Sequence, residues 1–218
     1  MLVHGLLGSR LDMWPMARHL RGQGSTVWNW SYRSIGQRIE TIVDSLGRDL
    51  ARLNRQIRSQ PTQGQTQGKF HLVTHSMGGV ILRAVLETWR FDNLGRVVML
   101  APPHSGSPVA RSLGPWFKWL VPCLDQLSDR HGSFVNQLPN SFLNNQIEFG
   151  LVEAKRDRVV RPGSVLIPGY EDYAVVDGHH GVLPWYPQTI SLAESFVKQG
   201  RFAAPFSSQS DLIRRSVS

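Results

Sequence analysis

Ser76 stands in the run Lys69–Gly79, KFHLVTHSMGG, between an apolar stretch and one with helical spacing. Serine is a weak nucleophile at neutral pH. Acyl transfer needs an imidazole to take its proton and a carboxylate to hold that imidazole in the right tautomer. The sequence offers both, in order: Asp157 follows the late apolar run ending at Ala154, and His179-His180 follow the last one, Tyr173–Val176. The same chemistry needs two N–H donors for the negative charge on the carbonyl oxygen, and losing one typically costs ~10²–10³ in rate. His4-Gly5-Leu6-Leu7-Gly8 would aim the N–H of Leu6 at that oxygen. The N–H of Met77, directly after Ser76, would be the second donor. Taken singly these signals are weak, since a lone aspartate in a loop is usually a cap or a solvated charge, and glycine turns are common. The ordered set is specific.

These side chains can meet only if the elements between them bring them to one place. Phe70, Leu72 and Val73 read as a buried strand, and residues 80–89 as a helix, which puts Ser76 on a sharp strand-to-helix corner. The two backbones pass close together there, and Gly78 and Gly79 supply the small residues required. Thr74 takes the place of the first glycine of G-x-S-x-G, so its branched Cβ must be accommodated. Upstream, Met13, Met16 and Leu20 mark one helix face, and Thr26–Trp30 alternates like a half-buried strand. Ile35, Ile39, Ile42, Leu46, Leu50, Leu53 and Ile57 form a core-facing helical stripe. Ser59–Gly68 is a Gln/Gly/Thr spacer that reads as a flexible loop within one fold. Asn93-Leu94-Gly95 turns the chain into a strand at Arg96–Leu100, followed by the turn-rich loop Ala101–Pro108. A helix with Ile190, Ala193 and Val197 on its apolar face closes the fold near Phe202.

Alternating strands and helices predict an α/β fold with a mostly parallel central sheet flanked by helices, and a site outside the carboxyl ends of the strands. Residues 1–202 read as a single domain and 203–218 as a flexible tail. Residues 109–142 are less periodic and include Trp116, Phe117, Trp119 and Leu120. They form either a small helical cap over the mouth of the site or plain core packing.

Composition narrows the function classes. At 218 residues and 41% hydrophobic content the chain suits one globular domain. Its single cysteine, Cys123, allows no intrachain disulfide, and a reducing, cytoplasmic setting is the simpler expectation. The start MLVHGLLG reads as the beginning of a fold rather than as a signal peptide, although only three residues precede His4. Lysine and arginine are scattered despite a net charge of +8, and no nucleic-acid motif is visible. Peripheral contact with an anionic membrane surface stays open. No metal-ligand spacing and no phosphate-cradling loop occur, so no cofactor is expected.

Three segments resemble bacterial triacylglycerol-lipase-like α/β hydrolases and their compact GPI-deacylase-like relatives. They are Leu2-Val3-His4-Gly5-Leu6-Leu7-Gly8, Leu72-Val73-Thr74-His75-Ser76-Met77-Gly78-Gly79, and Leu100-Ala101-Pro102-Pro103-His104-Ser105-Gly106-Ser107. The resemblance runs from Leu2 to about Phe202. It implies an α/β-hydrolase fold and a serine esterase acting through an acyl-enzyme on small acyl esters or lipids. The D-x-x-V segment of those relatives implies Asp157 as the acid, over Asp172 and Asp177. Their spacing from histidine to a proline-led helix and a G-R-F ending implies His180, whereas the H-x-G-L-L pattern of small lipases would select His179. Two alternatives remain: a hydrolase-fold binding protein, suggested by Thr74 and the short first strand, and an acyltransferase or thioesterase.

Overall fold

The computed structural model describes residues 1–59, 68–139 and 147–203. Six parallel strands form one sheet in the order β2-β1-β3-β4-β5-β6. They are β1 (Leu2–Val3), β2 (Asn29–Trp30), β3 (Phe70–His75), β4 (Leu94–Leu100), β5 (Phe149–Ala154) and β6 (Asp172–Val176). Between and after them run α1 (Trp14–Gly22), α2 (Ile39–Arg58), α3 (Met77–Thr88), α4 (Pro108–Phe117), α5 (Pro122–Gln126), α6 (Phe134–Gln137) and α7 (Pro187–Gln199). A 3₁₀ helix spans His180–Trp185.

Strand side chains alternate between the two faces of a sheet, and the apolar residues of β4 divide accordingly. Val97 and Met99 pack with Ile42, Leu46 and Leu50 of α2 and with Val80 and Ile81 of α3. Val98 and Leu100 pack with Met13, Met16 and Leu20 beside α1 and with Ala193 and Phe196 of α7. Both faces are therefore covered, as strands with continuous apolar runs require. Each large side chain removed from water contributes roughly 1.5–3 kcal/mol before entropy is counted.

Register fixes where the strands end. Val3 lies beside Thr74, His75 beside Leu100, and Ala154 beside Val176. The loops after β1, β3, β4, β5 and β6 consequently leave from one rim of the sheet.

Several boundaries differ from the sequence expectation. The helical stripe was expected to begin at Ile35, but α2 starts at Ile39 and Ile35 is exposed. Gly36 adopts φ +71°, outside the helical region, and the N–H of Ile39 is taken by the Gln126 side chain at 2.7 Å. The strand expected over Thr26–Trp30 shrinks to Asn29–Trp30. The expected turn at Asn93-Leu94-Gly95 lies partly inside β4, because Phe70 pairs with Leu94 and donates to the Asn93 carbonyl. Here ladder pairing overrides the local turn preference. Helix α3, which follows the strand-to-helix corner, or elbow, at Ser76, begins at Met77, so Gly78 and Gly79 are its first turn rather than its approach. The sheet is parallel at every pairing, not merely for the most part. Most of the spacer, residues 60–67, lies outside the described residues, as do 140–142 of the expected cap and 204–218 of the expected tail. No helix among the described residues is long and apolar enough to cross a membrane.

Candidate active site

At the corner between β3 and α3, Ser76 has φ 53° and ψ −124°, a conformation that L-residues rarely adopt and that functional sites retain at a cost. The surrounding glycines explain how it is held. A Cβ on Gly78 would sit 2.8 Å from the His4 carbonyl oxygen and 2.9 Å from that of Val3. One on Gly5 would sit 2.9 Å from the Ser76 Cβ, so the loop after β1 lies directly against the corner. Gly79 solves the Thr74 problem. A Cβ there would meet Pro102 at 2.8 Å and the Thr74 hydroxyl at 3.4 Å, so its absence leaves room for the branched side chain. Thr74 is fully buried, and its hydroxyl has no hydrogen-bond partner among the described residues.

The Ser76 hydroxyl lies 2.8 Å from His180 Nε2, and His180 Nδ1 lies 2.7 Å from Asp157 Oδ2. The other carboxylate oxygen of Asp157 accepts the N–H groups of Val159 and Val160, each at 2.8 Å. Burial acts most strongly on this carboxyl and raises its pKa. The His180 hydrogen bond and charge, with the two backbone donors, outweigh burial, so the net pKa is lowered and the group is a carboxylate at neutral pH. A carboxylate only accepts, so the Nδ1 hydrogen of His180 points at Asp157 and the Nε2 lone pair faces the Ser76 hydroxyl. The loop carrying Asp157 is tied down by Ser107, which donates to the Val159 carbonyl at 2.6 Å and caps α4 by accepting from Ala110.

The competing candidates point elsewhere. His179 is exposed and its backbone N–H reaches the Tyr186 hydroxyl. Asp177 pairs with Arg156 at 2.7 Å, and Asp172 accepts the N–H of Phe202 at 2.8 Å. The N–H groups of Leu6 and Met77 meet no acceptor among the described residues. Next to Leu6, Leu7 takes φ 55° and donates its N–H to the Ser34 hydroxyl at 3.1 Å. His4 fixes the loop from the other side. Its Nδ1 donates to the Gly5 carbonyl at 2.8 Å, its Nε2 accepts the Tyr32 N–H at 3.2 Å, and its ring stacks on Tyr32 at 4.3 Å.

Two supporting residues escaped the sequence reading. His75, the residue before Ser76, is buried, with its Nε2 3.0 Å from the His180 carbonyl. Arg83 is fully buried on α3, where its guanidinium donates to the carbonyls of His104, Leu138 and Pro139. The only sign of Arg83 in the sequence is a charge inside the apolar run VILRAVLETW. No group of three or more metal-ligating side chains occurs among the described residues.

A model of the alpha/beta hydrolase family matches residues 1–206, nearly the whole chain. The chain belongs to that family. Among solved alpha/beta hydrolases, the mature form of the Bacillus licheniformis lipase BlEst2 superposes with a TM-score of 0.65 at 14% identity, covering 92% of this chain and 91% of that one. An extracellular alpha/beta-hydrolase from a Paenibacillus species, which shares structural and functional homology with tobacco salicylic acid binding protein 2, reaches 0.58 at 18% identity, with 92% and 98% covered. Phospholipase PlaB from Legionella pneumophila, in complex with thio-NAD, reaches 0.61 at 20% identity over 76% of this chain. The chain spans only about two fifths of the PlaB structures. At these identities the likeness is one of fold. No curated protein matches the chain by sequence. The hydrolase fold and family expected from the three sequence segments are thus both found.

Proposed function

We propose that this alpha/beta hydrolase cleaves carboxylic esters through a Ser76-His180-Asp157 triad. The observation that carries the reading is the unbroken hydrogen-bonded line from the Ser76 hydroxyl through both nitrogens of His180 to Asp157, at 2.8 and 2.7 Å. In this reading His180 Nε2 takes the hydroxyl proton as Ser76 Oγ attacks the ester carbonyl. Asp157 stabilises the imidazolium that forms. The N–H groups of Leu6 and Met77, which have no acceptor of their own among the described residues, receive the oxyanion. His180 then passes its proton to the departing alkoxide, leaving an acyl group on Ser76. Water, deprotonated by His180, releases the acid and restores the serine. The names of the structural neighbours, a lipase and a phospholipase, make acyl esters of lipids the leading substrate class.

The test is hydrolysis of p-nitrophenyl butyrate and octanoate by the wild type and by Ser76→Ala. The wild type is expected to turn over at least one ester and the variant to fall by ~10⁴ or more. Equal rates for the two proteins would overturn the reading.

A further inference from the structure

Helix α4 is built inside out for a core element. Only Ala110 and Gly114 are buried along Pro108–Phe117, and a Cβ on Gly114 would sit 2.9 Å from the Asp125 Cα. Small residues thus let α4 seat closely on α5, and its largest side chains stay exposed. Leu113, Trp116, Phe117, Trp119 and Leu120 are all exposed, the two tryptophans by 76% and 77%. Isolated exposed hydrophobics are ordinary, but a cluster of them between Leu113 and Leu120 points to a contact surface.

The band is also tied to the loop after β1 through the Ser34–Gly36 segment. The Leu120 carbonyl accepts the Gly36 N–H at 2.8 Å, and Ser34, two residues before Gly36, binds the Leu7 N–H. Within the band itself the charged residues are basic, and Asp125 and Asp129 follow it on and after α5. From Ser105 to Leu124 the sequence has Arg111 and Lys118 and no acidic residue, in a chain of net charge +8. Arg111 pairs with Asp129, while Lys118 makes no ion pair among the described residues.

We propose that this face docks the protein on a phospholipid bilayer bearing anionic headgroups, with Trp116 and Trp119 in the interface. Tryptophan prefers the boundary between acyl chains and water, where its ring is buried and its N–H stays wet. A nearby lysine adds attraction to an anionic surface. A second copy of the chain fits less well, because isologous contact would bring two Lys118 side chains, without ion pairs among the described residues, into one interface. The inference is independent of the triad, since it concerns adsorption and not turnover.

The experiment is co-sedimentation of the full chain with phosphatidylcholine vesicles, with and without phosphatidylglycerol. Wild type and Ser76→Ala are expected to bind the anionic vesicles equally and to be released by high salt. The Trp116→Ala/Trp119→Ala double variant is expected to lose binding by about tenfold or more. Lys118→Glu is expected to lose a similar factor on anionic vesicles alone. Turnover of soluble p-nitrophenyl butyrate and the thermal midpoint check that the double variant is folded. Wild type left in the supernatant would overturn the proposal. So would a folded double variant that binds like wild type, or a dimer broken by the tryptophan changes without any vesicle binding.

Discussion

His75 donates its Nε2 hydrogen to the carbonyl oxygen of His180 at 3.0 Å, so the residue before Ser76 holds the backbone of the histidine that faces Ser76. The two rings sit 5.2 Å apart. Burial first, and the His180 charge second, lower the His75 pKa to about 3, which leaves this imidazole a neutral donor. His75 is in this sense a positioning residue. His75→Leu is expected to lower kcat on a soluble ester by roughly 10–100-fold with KM nearly unchanged, since small misplacements of catalytic groups are costly. His75→Gln, which keeps a donor, is expected to recover part of the loss. A change in KM alone, or no recovery with glutamine, would count against the role.

Asp157→Asn replaces an acceptor-only group with one that can donate to His180 Nδ1, and so favours the tautomer whose Nε2 carries the hydrogen. With the lone pair turned away from Ser76, kcat is expected to drop by ~10⁴ while the fold is retained. Steady-state kinetics beside a circular dichroism spectrum would check this. A loss under tenfold would place the acid elsewhere.

Acid should destabilise the fold earlier than carboxylate titration alone would require. Burial lowers the pKa values of His75 and His104 from 6.5 to about 3, with the charges of His180 and Arg83 respectively adding to it. Burial also lowers those of His4 and His71. For each, the folded value lies below the unfolded one, so the unfolded chain binds more protons as pH drops below about 6.5. The stability they contribute is complete above that pH and is lost below it, progressively towards pH 3 for His75 and His104, at up to about 1.4 kcal/mol per pH unit for each of those two. Asp157, also lowered, adds a later loss as pH falls through its depressed value. The thermal midpoint is expected to be flat above pH 7 and to fall steadily from pH 6.5 to 4. A midpoint constant over that range would contradict this.

Thr74→Val is expected to stabilise the protein. The Thr74 hydroxyl is buried without a partner among the described residues, and valine keeps the shape while removing the unsatisfied group. The gain should be about 1 kcal/mol, raising the melting temperature by roughly 2–4 °C for a chain of this size. A lower midpoint would mean that the hydroxyl has a partner.

The elbow was legible because its signals are local. An apolar strand, a serine and two glycines fall within eleven residues, and each has a steric reason to be there. The sheet was legible from the alternation of apolar runs. Residues 109–142 had two readings, a small cap or core packing; Phe134 and Leu138 pack on the core, while Trp116 and Trp119 face solvent. Other features have no local signature. The bond from His75 to His180 spans 105 residues, and the Arg83 clamp on Leu138 and Pro139 spans 55 and 56, so no spacing rule announces either. Ile35 misled because its period fits the helix, while the break before α2 rests on tertiary partners, the Leu120 carbonyl for the Gly36 N–H and Gln126 for that of Ile39. His179 and His180 differ only in which way the chain turns at the end of β6, and a sequence cannot display that.

The most direct measurement is covalent labelling with a fluorophosphonate followed by peptide mass spectrometry. The phosphonyl adduct is expected on Ser76 and nowhere else, with labelling slowed when His180 is replaced by alanine. An active preparation that hydrolyses esters yet carries no adduct on Ser76 would contradict the assignment of Ser76 as the nucleophile.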